Sequence, residues 1–278
     1  MEKINWENAI NIRRSTRSFE MIPVESSTMD KLQSFIPKLQ VPFKHDASIR
    51  FFKASPDKKL YTVFTAPPDG AAFLSRTDPC SISKTGFAGE IFVLYATSLG
   101  LATCWYGHYT LAELERIMPH LGKYALQPNP KWGYGKETVE GERTICITPL
   151  GYWQKKGVRV FDRMQESLIS YRRKPVEAFL EGDSSADKLP PEILYGFDLA
   201  RKAPSGANSQ HWRFKVSADC KKIFIAMPVG YKHIKWEHPD VDIGICACHF
   251  WLGLTLKGVN CDVSVREEEG RAVWYFEL

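Results

Sequence analysis

The sequence predicts an α+β protein made of two like halves, and three observations lead there. Helix-like and strand-like stretches alternate along the 278 residues, a length that holds one large domain or two ordinary ones with a buried core. Apolar residues at 44% and charged residues at 25% are ordinary for a globular chain. The order of segments also repeats. Ile10-Asn11-Ile12-Arg13-Arg14-Ser15 aligns with Ile169-Ser170-Tyr171-Arg172-Arg173-Lys174, and Gly89–Leu101 aligns with Gly244–Leu256, each carrying Leu-Gly-Leu. Thr144–Thr148 has its counterpart in Val273–Glu277. A repeat of this size implies two related units packed on each other.

In the first half, Asn5 is the expected N-cap of a helix carrying Trp6, Ala9, Ile10 and Ile12, because its side-chain oxygen suits an unpaired first-turn N–H. A second helix is expected over Thr28–Leu39, stopped by Pro42. Strands follow at Ile49–Lys53 and Leu60–Phe64, then a long apolar helix at Gly86–Leu101 and a buried strand at Thr144–Pro149. The second half expects helices at Phe161–Tyr171, Glu192–Lys202 and Asp242–Leu256, with strands at Trp212–Val216, Lys222–Ala226 and Ala272–Leu278. The halves are set at residues 1–160 and 161–278, with the boundary near Gly157–Asp162. A second flexible stretch, Gly182-Asp183-Ser184-Ser185, falls inside the latter half.

Several function classes recede on composition. The net charge of +5 comes without a run of five like charges, so no basic stripe for nucleic acid is expected. Ile91–Tyr106 is the longest apolar stretch and contains Ser98, Gly100 and Thr103, too short for the roughly 20 residues of a membrane span. The opening Met-Glu-Lys-Ile-Asn-Trp lacks a secretory pattern, and seven cysteines form no CxxC pair. Reduced thiols in the cytoplasm are the expectation. Cys246 and Cys248 beside His249 read as buried thiols in an apolar helix, since free Cys packs like a small hydrophobe, and no metal site is expected.

Two stretches carry chemistry. Arg13-Arg14-Ser15-Thr16-Arg17-Ser18-Phe19 gathers guanidiniums and hydroxyls that suit a phosphate dianion. A helix C-terminus attracts cations and accounts for Arg13 and Arg14, but not for Ser15 and Arg17 in the turn beyond. Pro204-Ser205-Gly206-Ala207-Asn208-Ser209-Gln210-His211-Trp212 is a turn whose backbone groups and amide side chain suit the polar edge of a flat ring. Ala102-Thr103-Cys104-Trp105-Tyr106-Gly107 and Leu150-Gly151-Tyr152 are further candidates, with core packing the alternative for Trp105 and Tyr106. His233, His238, Trp132 and Trp236 lie in loop-like stretches without a spacing argument for any role.

These segments together resemble the nitroreductase family of flavin mononucleotide (FMN) enzymes. Its Arg-x-Ser-x-Arg/Lys run is matched by Arg13, Arg14, Ser15 and Arg17, and its Pro-Ser-x-x-Asn-x-Gln-Pro-Trp motif by Pro204, Ser205, Gly206 and Asn208, with His211 where proline is usual. The family's Gly-Leu-Gly-x-x-Trp-x-Gly stretch corresponds to Gly100–Gly107, with Ala102 for the second glycine, and Leu-Gly-Tyr-Pro to Leu150–Trp153. The resemblance implies that Tyr106 and Gly107 lie near the reactive edge of the flavin. It also implies that a later basic residue, Arg159 among Lys155, Lys156 and Arg159, returns to the phosphate.

In that family the Arg-Ser and Pro-Ser-Asn elements come from different subunits of a homodimer. Here they share one chain, which implies a nitroreductase-like, intramolecular pseudo-dimer that is monomeric because the dimer is fused. In the second half Lys174, Pro175 and Val176 replace Ser15, Thr16 and Arg17, while Gln40–Ser48 lacks Ser-x-x-Asn-x-Gln. One flavin per chain is therefore expected. The implied reaction passes electrons from NAD(P)H through FMN to a nitroaromatic, quinone or similar small electrophile, with no side chain required as acid or base. The alternative is a flavin-binding protein with a regulatory or storage role and no turnover.

Overall fold

The computed structural model describes residues 4–57, 59–119, 128–129, 133–134, 142–154, 172–182, 185–233 and 238–278. The helix expected over Phe161–Tyr171, the Gly157–Asp162 boundary, Lys155, Lys156, Arg159, Trp132 and Trp236 lie outside the described residues. The chain divides into two compact units. One comprises Met1–Leu39, Asp46–Thr77 and Phe92–Ser170; the other comprises Gln40–His45, Asp78–Ile91 and Tyr171–Leu278.

The first unit opens with α1 (Trp6–Ile12), where Asn5 Oδ1 accepts from the Asn8 N–H at 3.0 Å. The second helix, α2 (Ser26–Phe35), starts before the expected Thr28 and gives way at Ile36 to a 3₁₀ turn ending at Lys38. Pro37 has no N–H for the next α-helical bond, which explains the change. A three-stranded antiparallel sheet is ordered β1 (Ser48–Lys53), β2 (Asp69–Ser75), β5 (Arg143–Leu150). Its middle strand is buried throughout, so it lacks the apolar–polar alternation that marks a strand facing water on one side. Two short strands, β3 (Pro128–Asn129) and β4 (Gly133–Tyr134), pair with each other.

The expected strand at Leu60–Phe64 is absent. The segment turns through Thr62 and Val63, which lets Leu60, Tyr61 and Phe64 all enter the core. Tyr61 stacks on Phe64 with ring centroids 4.7 Å apart. A strand would have sent Leu60 and Tyr61 to opposite faces. This core also takes Phe19, Phe52, Tyr106, Tyr109, Leu114 of α4 (Leu111–Ile117) and Ile147.

The second unit is centred on α6 (Asp240–Leu256), which is buried from Asp240 to Phe250. Apolar side chains lie on every side of the helix, as suits a core position, with Asp240, Asp242 and His249 as its buried polar residues. Its partners are α5 (Pro191–Ala200) and the part of α3 (Pro79–Ser98) up to Ile91. Contacts at glycine set both distances. A Cβ at Gly244 would lie 1.7 Å from the Ser83 carbonyl oxygen, and one at Gly86 would lie 2.2 Å from that of Val241. On the other side, a Cβ at Gly253 would lie 2.7 Å from Gly196 Cα.

The sheet of this unit is antiparallel, in the order β6 (Arg213–Val216), β7 (Lys222–Ala226), β9 (Arg271–Glu277), β8 (Asp262–Glu268). The β8–β9 hairpin turns at Glu269 and Gly270, both with positive φ, which matches the right-handed twist of paired strands. Phe197 stacks on Phe214 at 4.4 Å and on Phe250 at 4.8 Å. Trp274 Nε1 donates to Ser83 Oγ at 2.9 Å. Cys246 and Cys248 are buried in α6, where burial pushes both thiols well above their usual range. His249 lies between the Leu199 carbonyl oxygen (3.1 Å) and Glu90 Oε1 (2.9 Å). Among the described residues no helix is long and apolar enough to cross a membrane.

Gly244→Ala places a methyl group inside the Ser83 backbone, and overpacking of this kind costs about 1–3 kcal/mol or more. Urea denaturation is expected to show that loss. An unchanged midpoint contradicts the backbone contact.

Candidate functional site

The Arg-Ser segment begins where α1 stops. Arg13 leaves helical geometry with ψ 132°, though its N–H still reaches the Ala9 carbonyl oxygen at 3.0 Å. The chain then runs extended beside Thr103. Ser15 and Thr103 form a parallel bridge, and the Thr16 N–H donates to Thr103 O at 2.8 Å. Ala102 pairs in turn with Gly151, Tyr106 with Ile147, and Phe19 with Trp153. Three of the sequence-predicted segments, Arg13–Phe19, Ala102–Gly107 and Leu150–Trp153, are thereby held backbone to backbone within one unit.

Side chains follow from that pairing. Arg13 is buried, Ser15 and Arg17 are half-buried, and Arg14 is exposed with its guanidinium 5.7 Å from the Trp153 ring centre. Burial pushes the Cys104 thiol up, while the charges of Arg17 and Arg13 oppose the shift. Both guanidiniums therefore bear on one small region next to Thr103. Trp105 stacks on Phe73 at 4.5 Å, and the Tyr106 hydroxyl lies 2.8 Å from Thr62 Oγ1. The Tyr106 N–H donates to the Ile147 carbonyl oxygen at 2.9 Å. Gly107 follows, half-buried.

In the other unit, Pro204 is buried after α5, and Gly206–Asn208 form a 3₁₀ turn. Ala207, Asn208 and Gln210 have φ of 50°, 54° and 49°. Left-handed backbone at non-glycine residues is costly, survives only where surroundings impose it, and clusters at functional sites. Here the surroundings are hydrogen bonds. The Gln210 N–H donates to Ser205 Oγ at 3.0 Å, and the Gly206 N–H to Asp242 Oδ2 at 2.8 Å. Arg173 Nη1 donates to Asn208 Oδ1. The Arg172 carbonyl oxygen accepts from Asn208 Nδ2 at 3.2 Å and Gln210 Nε2 at 3.0 Å.

His211, the departure from the motif, is a packed residue of this turn. Its ring stacks on Tyr231 with centroids 4.4 Å apart, and its nitrogens lie 2.8 Å from Ser209 Oγ and 3.3 Å from the Pro239 carbonyl oxygen. The carbonyl must accept, so the Nε2–H donates there and neutral Nδ1 accepts from the hydroxyl. His233 Nε2 reaches the Gly206 carbonyl oxygen at 3.1 Å. Asp242, Arg173 and Tyr231 were not singled out as site residues from sequence. Asp242 is distant along the chain and there looks like an ordinary acidic residue of a helix's first turn.

Burial sets the charges. It pushes Asp242 up to about 8, against the Gly206 N–H and helped by Asp240; it pushes Asp240 up to about 7. Burial likewise pushes His211 and His238 down to about 4. A carboxyl that keeps its proton in the fold stabilises below its unfolded pKa, and that stability is lost as pH rises through the folded value. The two histidines act oppositely, but their effect is complete by about pH 6.5. Stability is therefore expected to fall between about pH 6.5 and 8, as read by urea midpoints. Asp242→Asn should flatten the fall, whereas an equal slope in both proteins contradicts the buried neutral carboxyl.

A family described as "Putative TM nitroreductase" matches residues 5–117 and 124–254. Among solved structures, a "putative nitroreductase" from Thermotoga maritima is 20% identical, covering 100% of this chain and 95% of that one with a TM-score of 0.62. A nitroreductase family protein from Clostridium difficile 630 is 14% identical, covering 66% and 100% with a TM-score of 0.42. An FMN-dependent nitroreductase from Clostridium difficile R20291 is also 14% identical, covering 60% and 98% with a TM-score of 0.38. No functionally curated protein matches. The likeness to the Thermotoga protein is one of fold, and the family match spans most of the chain: this protein belongs to the nitroreductase family described as "Putative TM nitroreductase".

Proposed function

We propose that the chain is an FMN-dependent oxidoreductase that binds one flavin and passes electrons from NAD(P)H to a nitroaromatic, quinone or similar small electrophile. The observation that carries the reading is the backbone pairing of Ser15 and Thr16 with Thr103, next to the pairing of Ala102 with Gly151. It brings Arg13, Ser15 and Arg17 to the one short region that also holds Tyr106 and Gly107.

The donor set fits a flavin mononucleotide. Arg13, Ser15 and Arg17 share one short stretch paired with Thr103, and both arginines act on the neighbouring Cys104 thiol; clustered guanidiniums with a hydroxyl suit a phosphate. Ser15 adds a neutral donor, and exposed Arg14 lies at the rim. Pro204, Ser205, Gly206 and Asn208 would meet the polar edge of the ring, their backbone set by the turn's left-handed residues. Arg159 is proposed as a further phosphate contact. When bound, the flavin would supply two-electron chemistry, and the chain would bind and orient it. No side-chain acid or base is assigned. His211 is held neutral and packed, which agrees with that choice. We further propose a monomer, since both motif segments lie on one chain.

Arg17→Ala is expected to weaken FMN binding by about tenfold or more, the loss of one charge-assisted hydrogen bond. Fluorescence titration of the flavin measures it, and unchanged affinity removes Arg17 from the site. Anaerobic addition of NADH or NADPH to the FMN-loaded protein should bleach its yellow colour, and reoxidation by an added quinone should restore it. A bound flavin that neither nicotinamide reduces would favour a storage or regulatory role instead.

A further inference from the structure

Arg172, Arg173 and Lys174 occupy the places in the second half that Arg13, Arg14 and Ser15 hold in the first. Their hydrogen bonds go to the Pro204–Gln210 turn. Arg173 Nη1 donates to Asn208 Oδ1, and Asn208 Nδ2 donates back to the Arg172 carbonyl oxygen at 3.2 Å. Gln210 repeats the pattern: its Nε2 donates to the same carbonyl at 3.0 Å, and its Oε1 accepts from the Lys174 N–H at 2.9 Å. Each carboxamide is thus held at both its oxygen and its nitrogen by one three-residue stretch.

Asn208 and Gln210 are two of the turn's three left-handed non-glycine residues. Such backbone relaxes unless its surroundings over-determine it. A guanidinium suits the task, because its planar fork is rigid and its bond to an amide oxygen is charge-assisted. Pro175 follows with ψ 160°, and Val176 is buried at the start of a 3₁₀ turn, so the stretch is anchored just beyond Lys174. In the first half the corresponding residues are followed by Thr16 and Arg17 instead.

We propose that Arg172–Lys174 is a positioning element for the flavin-binding turn, with Arg173 holding Asn208 where the ligand needs it. This rests on the FMN reading for its ligand, but the brace itself does not require flavin. It also gives a physical reason for a single site. The Arg173 guanidinium that could have met a second phosphate donates to Asn208 Oδ1 instead, while Arg172 offers its backbone carbonyl to both carboxamides.

The test is a double-mutant cycle on FMN affinity with Arg173→Met, which keeps the apolar stem and removes the donors, and Asn208→Ala. Arg173→Met alone is expected to weaken binding about tenfold. In the Asn208→Ala background it should add nothing, because a residue acting through Asn208 has no other route. Lys174→Ala, which keeps the backbone N–H, should stay within about twofold of wild type. Unchanged affinity in Arg173→Met, or fully additive losses, overturns the proposal. Hydrogen exchange on flavin-free protein provides the second arm. Arg173→Met should accelerate exchange of the Gln210 N–H and its neighbours while α6 stays protected. Unchanged exchange there overturns the brace, whereas wild-type protein that binds no FMN overturns only the FMN reading.

Discussion

At Gly244 the backbone of α6 meets the backbone of α3, with no room for a Cβ against the Ser83 carbonyl. Gly86 makes the reciprocal approach to Val241, so two hydrogens in place of two methyls fix the first turn of α6. That turn carries Asp240, which accepts the Ala272 N–H of β9 at 2.8 Å, and Asp242, which accepts the Gly206 N–H. A helix–helix distance thereby reaches the sheet on one side and the candidate flavin-binding turn on the other. Moving α6 outward by the width of a methyl group would pull both carboxyls from their donors. Interiors packed to crystal-like density pass such strain on instead of absorbing it.

The two candidate segments are stabilised by different means. Arg13–Phe19 is held by main-chain pairing to Thr103 and Trp153, which leaves its guanidiniums and hydroxyl as the variable chemistry. Pro204–Gln210 is held mostly by side chains, from Ser205, Asn208, Gln210, Arg173 and Asp242. The first can change its side chains and keep its path. The second cannot, because its left-handed residues depend on those particular partners. His211 fits this view: it takes a proline's place in the motif and supports the turn through Ser209, Pro239 and Tyr231.

Much of the architecture was legible because local signals agreed. Asn5 capping α1, the long and mostly apolar run of α6, and the Lys222–Ala226 strand all appear where pattern placed them. Other elements were not legible, for identifiable reasons. Buried β2 has no polar face to alternate, and β8 hides Val263 and Val265 among charged neighbours. Leu60–Phe64 is β-rich in composition, yet a turn buries three of its side chains together, a tertiary outcome that propensity does not carry. The motif residues were legible as motifs. Their supports, Asp242 and Arg173, were not, because each lies more than thirty residues from its partner and carries no pattern of its own.

The two-unit architecture and the single intact set of motif residues meet in one quantity, the number of flavins each chain binds. Isothermal titration of FMN into flavin-free protein measures it directly. One equivalent per folded chain is the expected result. Two equivalents would show that the Arg172–Lys174 side retains a working site, and none would remove the flavin altogether.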